Sequence, residues 1–282
     1  MSHYNNASEL DKLTLGKTTN YISQYDATLL QAVPRSLNRD ELNLNNDNLP
    51  FKGTDVWFGY ELSWLNDKGK PVVAVAEFSF PCTSPNIVES KSFKLYLNSY
   101  NQTKFADVKT VEQTLERDLS LTCGAKAKVS LFNVTACPPL MIQQLEATCL
   151  DDLDISIEQY QLQPQLLQLD TKYNEMVNET LVSHLLKSNC LITNQPDWAS
   201  IYISYSGAKI EHESLLKYLI SFRQHNEFHE QCVERIFCDL QKYCLPTQLT
   251  VYARYTRRGG LDINPYRTTS NNQAPSARTL RQ

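Results

Sequence analysis

Val56-Trp57-Phe58-Gly59-Tyr60-Glu61-Leu62-Ser63-Trp64, then Asn66-Asp67-Lys68-Gly69, then Val72, Ala74, Ala76, Phe78 and Phe80 form the stretch on which the fold turns. Val56, Phe58, Tyr60, Leu62 and Trp64 alternate with Trp57, Gly59, Glu61 and Ser63, which is the period of a strand. Residues 66–69 are turn formers, and the alternation resumes after them, so 56–80 predicts a β-hairpin. Downstream, a helix is expected over 91–100. A second helix carries Val111, Leu115 and Leu119 on one face, with Thr110 and Gln113 offering a capping box. Strand-like segments follow around 129–134 and 142–149.

The second half repeats this order. Ile201, Ile203 and Tyr205 alternate, and a helix then carries Leu215, Leu219 and Phe222. Another carries Val233, Phe237, Leu240 and Cys244, and Leu249, Val251, Ala253 and Tyr255 lead into Arg257-Arg258-Gly259-Gly260 and a last short strand. Each half reads strand–strand–helix–helix–strand–strand, an α+β class with helices on one side of an antiparallel sheet. The expected organisation is a polar N-terminal arm over 1–50, irregular around Ser36–Asp40, then one module over 51–160 and a second over 161–282. The acidic, Gln-rich region near 150–172 is expected to connect the modules, and the tail from Thr268 to be mobile.

A length of 282 residues allows two domains, each with its own core. A net charge of -4 argues against a dedicated nucleic-acid binder. No apolar run approaches the ~20 residues that span a bilayer, and the N-terminus lacks a signal-peptide layout, so a cytoplasmic protein is expected. The eight cysteines are scattered and form no C-x-x-C pair, which suggests neither a disulfide framework nor a zinc ribbon. The eight glycines form no G-x-G-x-x-G or P-loop pattern.

Three segments gather reactive side chains. Glu89-Ser90-Lys91-Ser92-Phe93-Lys94-Leu95-Tyr96 enters the first helix. Its hydroxyls, lysines and free N–H groups can hold an anion, or can simply cap a solvated first turn. Ser188-Asn189-Cys190 through Asp197 holds a thiol and an acid in a loop ahead of a strand. That is the pairing a cysteine nucleophile needs, although a lone cysteine is also an ordinary core residue. His225-Asn226-Glu227-Phe228-His229-Glu230 opens the last long helix, with two histidines at i and i+4. These can share a metal or remain solvated, and the order is not H-E-x-x-H. Arg254, Arg257 and Arg258 beside Gly259-Gly260 form a basic cluster suited to phosphate, or an ordinary hairpin turn.

Together these segments resemble the 7-cyano-7-deazaguanine reductases, the NADPH-dependent nitrile reductases of the queuosine pathway, in their long two-module form. The likeness runs from about Leu13 to Arg267, is weakest near 135–175, and includes Tyr255-Thr256-Arg257-Arg258-Gly259-Gly260-Leu261-Asp262. It implies tandem tunnelling-fold (T-fold) modules, which bind nicotinamide cofactors without a Rossmann domain. It implies catalysis by Cys190, Asp197 and His229, with Cys190 forming a thioimide and Asp197 protonating nitrogen if burial keeps it neutral. Val88, Glu89, Ser90, Phe228, His229 and Glu230 are expected to bind the substrate, Glu89 and Cys190 sharing a pocket. Ser90, Lys91, Arg258 and Gly259 are expected at the NADPH. A homodimer acting on a small molecule, not on nucleic acid or membrane, is expected. No metal is expected, so stoichiometric zinc should be absent and activity should survive chelation. Two other readings remain open: a zinc-dependent cyclohydrolase of the same fold, with His225, His229 and Cys190 as ligands, and a non-catalytic purine- or pterin-binding module.

Overall fold

The computed structural model describes residues 21–282 apart from Asn174, so the first twenty residues of the expected arm lie outside the described residues. The chain divides into two compact units. The first comprises the described residues up to Leu49 with Asp55–Met141 and Arg257–Asp262; the second comprises Pro50–Thr54, Ile142–Thr256 and Ile263–Gln282.

In the first unit the expected hairpin is present as β2 (Lys52–Leu65) and β3 (Pro71–Pro81). Asn66 Oδ1 accepts from the N–H groups of Lys68 and Lys70 (both 3.0 Å), and Gly69 takes the positive φ (80°) that closes the turn. β5 (Lys128–Phe132) extends the sheet antiparallel to β3, with Phe78 opposite Val129. Two helices, α2 (Ser90–Ser99) and α3 (Val108–Cys123), supply the apolar cover. Phe93 packs edge-on against Phe78 (4.8 Å between ring centres) and tilted against Trp57 (5.5 Å), all three fully buried. The cap of α3 is Asp107, which accepts from Thr110 N–H (2.7 Å), rather than the expected Thr110–Gln113 box. The described arm residues do wrap this core. A short strand β1 (Ala32–Pro34) pairs with β4 (Asn86–Val88), and Ser36–Arg39, expected to be irregular, makes a single helical turn, α1. The arm is tied down by a buried Arg35–Asp55 ion pair (2.5 Å).

The second unit carries the strands β6 (Thr148–Cys149), β7 (Met176–Asn189), β8 (Pro196–Ala208), β9 (Gln248–Tyr255) and β10 (Leu261–Thr268), in the order β10-β9-β8-β7-β6. The helices are α4 (His212–Ser221) and α5 (His229–Cys244). The strand expected over 142–149 shrinks to β6, which runs parallel to β7. Residues near 150–172 do not bridge modules. They strap over α4, where Gln163 and Gln168 donate backbone N–H groups to Ser221 and Ser214 Oγ (both 3.2 Å). The division therefore falls after Met141 and not near 160. The tail after Thr268, expected to be mobile, is bonded in: Gln282 takes Arg254 Nε (2.7 Å), and Arg281 reaches His184 O (2.6 Å).

The two units are built alike. Glu89 caps α2 by accepting from Lys91 and Ser92 N–H, and Glu211 caps α4 by accepting from Glu213 and Ser214 N–H. Tyr96 then donates to Asp118 and Tyr218 to Asp239, each at 2.7 Å. Ser99 and Ser221 close the pattern by donating to Tyr96 O and Tyr218 O (both 2.6 Å).

Candidate active site

The cysteine loop is the tip of the β7–β8 hairpin, with Ser188 opposite Asp197 and Asn189 opposite Pro196. Asp197 thus lies on a strand. Cys190 N–H donates to Gln195 O (2.8 Å) and Asn194 N–H returns to Cys190 O (3.0 Å). Asn194 takes the left-handed conformation (φ 56°) that lets so tight a turn close, one that asparagine tolerates better than most residues. Cys190 is 7% exposed and Asp197 2%. His229 Nε2 stands 3.6 Å from Asp197 Oδ1, and its ring meets Tyr255 edge-on at 4.1 Å. Cys190's hairpin, Asp197 and His229 are therefore one assembly.

The segment 225–230 differs from its sequence reading. α5 begins at His229 with Phe228 as its N-cap, so His225 lies outside the helix. The two histidines do not share a helical face. His225 instead contacts Glu227 (Nε2–Oε2, 3.1 Å), and Arg235 grips the same carboxylate from the other side (2.8 Å). Burial, the largest influence, would raise the Glu227 carboxyl, but Arg235 and His225 together hold it below its ordinary range. This ion group fixes the loop to the hairpin: Glu227 N–H donates to Asn189 O (3.1 Å) and Asn189 N–H to His225 O (2.9 Å). Phe228 and Glu230 follow, both buried.

The first unit holds the remaining candidates. Val88 and Glu89 are buried, while Ser90 and Lys91 are partly exposed. The first N–H groups of α2 do not await an anion, since Glu89 occupies those of Lys91 (2.8 Å) and Ser92 (2.7 Å). Burial chiefly raises the Glu89 carboxyl, against the lowering pull of those N–H groups and of Lys94 and Lys91. Arg258 and Leu261 bracket a tight turn whose two glycines both take positive φ (Gly259 55°, Gly260 76°). A Cβ on Gly259 would stand 3.1 Å from Lys94 Nζ, so the helix lysine and the turn form one basic group. Arg257 stacks over Tyr60 (4.3 Å). Arg254 is buried and bonded to Gln282 and Tyr252. Lys94 sits in the quoted signature and went unassigned. Glu227 and Tyr255 likewise sit in quoted segments without a role, and Arg235 lies outside them all, because only their contacts single them out.

The only group of His, Cys, Asp and Glu side chains among the described residues close enough to hold a metal is Cys149, Asp151 and His184, not the set a cyclohydrolase reading needs. A cleft of about 460 Å³ is lined by Tyr202, Tyr252 and Tyr266 and includes none of Cys190, Asp197 or His229.

Residues 21–131 match the family model described as nitrile reductase, 7-cyano-7-deazaguanine-reductase N-term, and 196–274 match that of a QueF-like protein. The NADPH-dependent 7-cyano-7-deazaguanine reductase of Colwellia psychrerythraea is 67% identical over 286 residues, covering 100% of each chain. The chain belongs to the 7-cyano-7-deazaguanine reductase family. That membership carries the α+β, two-module reading. An archaeosine synthase QueF-Like structure in the apo form also matches, at 16% identity and TM-score 0.30 over 36% of this chain and 99% of that one.

Proposed function

We propose that this chain reduces the nitrile of 7-cyano-7-deazaguanine to an aminomethyl group with NADPH, using Cys190 as covalent nucleophile and the Asp197–His229 pair as proton donor. The observation that carries the proposal is a cysteine at a hairpin tip whose partner strand presents a buried carboxylate 3.6 Å from an imidazole.

The Cys190 thiolate adds to the electrophilic nitrile carbon. A sulfur–carbon bond forms, one π bond of the nitrile breaks, and nitrogen takes a proton from the Asp197–His229 pair, giving a thioimide. NADPH, when bound, supplies the reducing equivalents, two molecules per turnover because nitrile to amine takes four electrons. Ser90, Lys91, Arg258 and Gly259 are its proposed contacts. The exposed Gly259 turn beside the Lys94 ammonium fits a phosphate-bearing ligand. Glu89 and Glu230 accept the forked N–H donors of the purine-like edge, and Phe228 packs on its ring. Two of the carboxylate's four lone-pair directions at Glu89 already take backbone N–H groups, which leaves acceptor capacity for a substrate.

The proposal includes a cytoplasmic homodimer acting on the free base, with Val88 lining the substrate site. It gives no metal a part in turnover. NADPH oxidation followed with and without the nitrile tests it: oxidation that depends on the nitrile and persists after chelation is expected. Nitrile-independent oxidation, or activity lost to chelator and restored by zinc, would overturn it.

A further inference from the structure

β6 lies parallel to β7, with Cys149 opposite Val182, and Leu150 N–H continues the ladder to Val182 O (2.9 Å). This register carries Asp151 alongside Ser183 and His184, where β7 bulges between Ser183 and Leu186. Asp151 Oδ1 accepts from Ser183 Oγ (2.7 Å) and Oδ2 from His184 N–H (3.0 Å), which fixes the carboxylate. Ser200 Oγ holds the His184 ring at Nδ1 (2.8 Å). Cys149 is exposed, and one ligand atom from each of Cys149, Asp151 and His184 lies within 4.8 Å of the others.

We propose that Cys149, Asp151 and His184 form a binding site for a divalent cation of the zinc class, separate from the Cys190 hairpin. Thiolate, imidazole and carboxylate on one ion suit zinc and its neighbours, whereas magnesium and calcium take oxygen ligands. Tetrahedral zinc brings such atoms to roughly 3.3–3.6 Å of one another, so the three ligands draw together around the ion, and Cys149 is the exposed one of the three. Three protein ligands leave a fourth position for water. Ser183 and Ser200 are the outer partners that hold ligating carboxylates and imidazoles in place. This amends the sequence expectation of a metal-free chain without giving the ion a part in nitrile reduction. The contrary reading makes Asp151 only the clamp of the bulge.

The test titrates the chelator-treated full chain with cobalt(II). One equivalent is expected to raise a thiolate-to-cobalt charge-transfer band with visible ligand-field bands, and zinc is expected to displace both. Cys149→Ser is expected to lose the charge-transfer band and His184→Ala to weaken binding at least tenfold, while Cys190→Ser keeps the full spectrum. Absence of the band in the native chain, its survival in Cys149→Ser, or unchanged affinity in His184→Ala would overturn the site. Because Cys149 is an exposed side chain, its serine variant folds as the native chain does and decides the matter even if Asp151 or His184 variants disturb the bulge.

Discussion

Cys190 and Asp197 were legible only through their motif, because a thiol and an acid seven residues apart have no periodicity to read. Their burial, and the imidazole beside Asp197, come from chain segments brought together by the fold. Two substitutions separate their roles. Mass spectrometry of the native chain given the nitrile without NADPH is expected to find one intact substrate on the Cys190 peptide, and none in Cys190→Ala. Asp197→Asn keeps the shape but gives up the carboxyl of the proton-donating pair. General acids contribute ~10²–10⁴-fold, so adduct formation and turnover should each slow by roughly 100-fold or more while reversible binding persists. Unchanged rates in Asp197→Asn would remove it from the mechanism, and adduct on Cys232 would remove Cys190.

Among the elements, those with strict alternation or a helical stripe were read correctly, since the β2–β3 hairpin and the faces of α3 and α5 follow from pattern alone. β7 was unnamed in the sequence reading, and 142–149 was overcounted. Short apolar runs there do not reveal that only Thr148 and Cys149 find a partner strand. The start of α5 was misjudged by several residues, which had placed His225 on a helix it does not enter. The Gly259–Gly260 turn was seen as basic, but its proximity to Lys94 belongs to packing. That pairing makes an element-scale prediction. Arg258→Ala is expected to raise the KM for NADPH more than that for NADH, because a planar guanidinium reads a phosphate monoester as a fork. Lys94→Ala is expected to weaken both cofactors through a shared phosphate. Steady-state kinetics with each cofactor decides. Equal losses in Arg258→Ala would show that it does not read the extra phosphate.

At the scale of the whole molecule, the repeat of strand and helix order was visible, while the duplicated Glu–Ser–Tyr–Ser bonding of α2 and α4 was not, because it lies in hydrogen bonds. One buried group ties the stability of the second unit to pH. Glu227 is 1% exposed and bonded to Arg235 and His225, with Asp239 and Cys232 also near. Its folded carboxyl titrates below the unfolded value of about 4.3. A depressed acid stabilises the fold fully above that unfolded value, and the contribution is lost as pH falls through the folded one. Glu227→Gln keeps the shape but removes the charge opposite Arg235. Breaking one side of a buried pair costs about 3–5 kcal/mol, so a large loss is expected at pH 7. Glu89 shifts the opposite way, raised chiefly by burial, and eases the fold toward acid in both proteins alike, whereas Asp239, raised chiefly by burial and in part by the Glu227 charge, does so more in the native chain. The gap between native chain and variant should therefore be widest at neutral pH and narrow as pH falls below the unfolded value of about 4.3 and through the lower folded one. Urea unfolding at a series of pH values measures it, and a gap that stays constant into acid would show that the Glu227 charge is not what stabilises the loop.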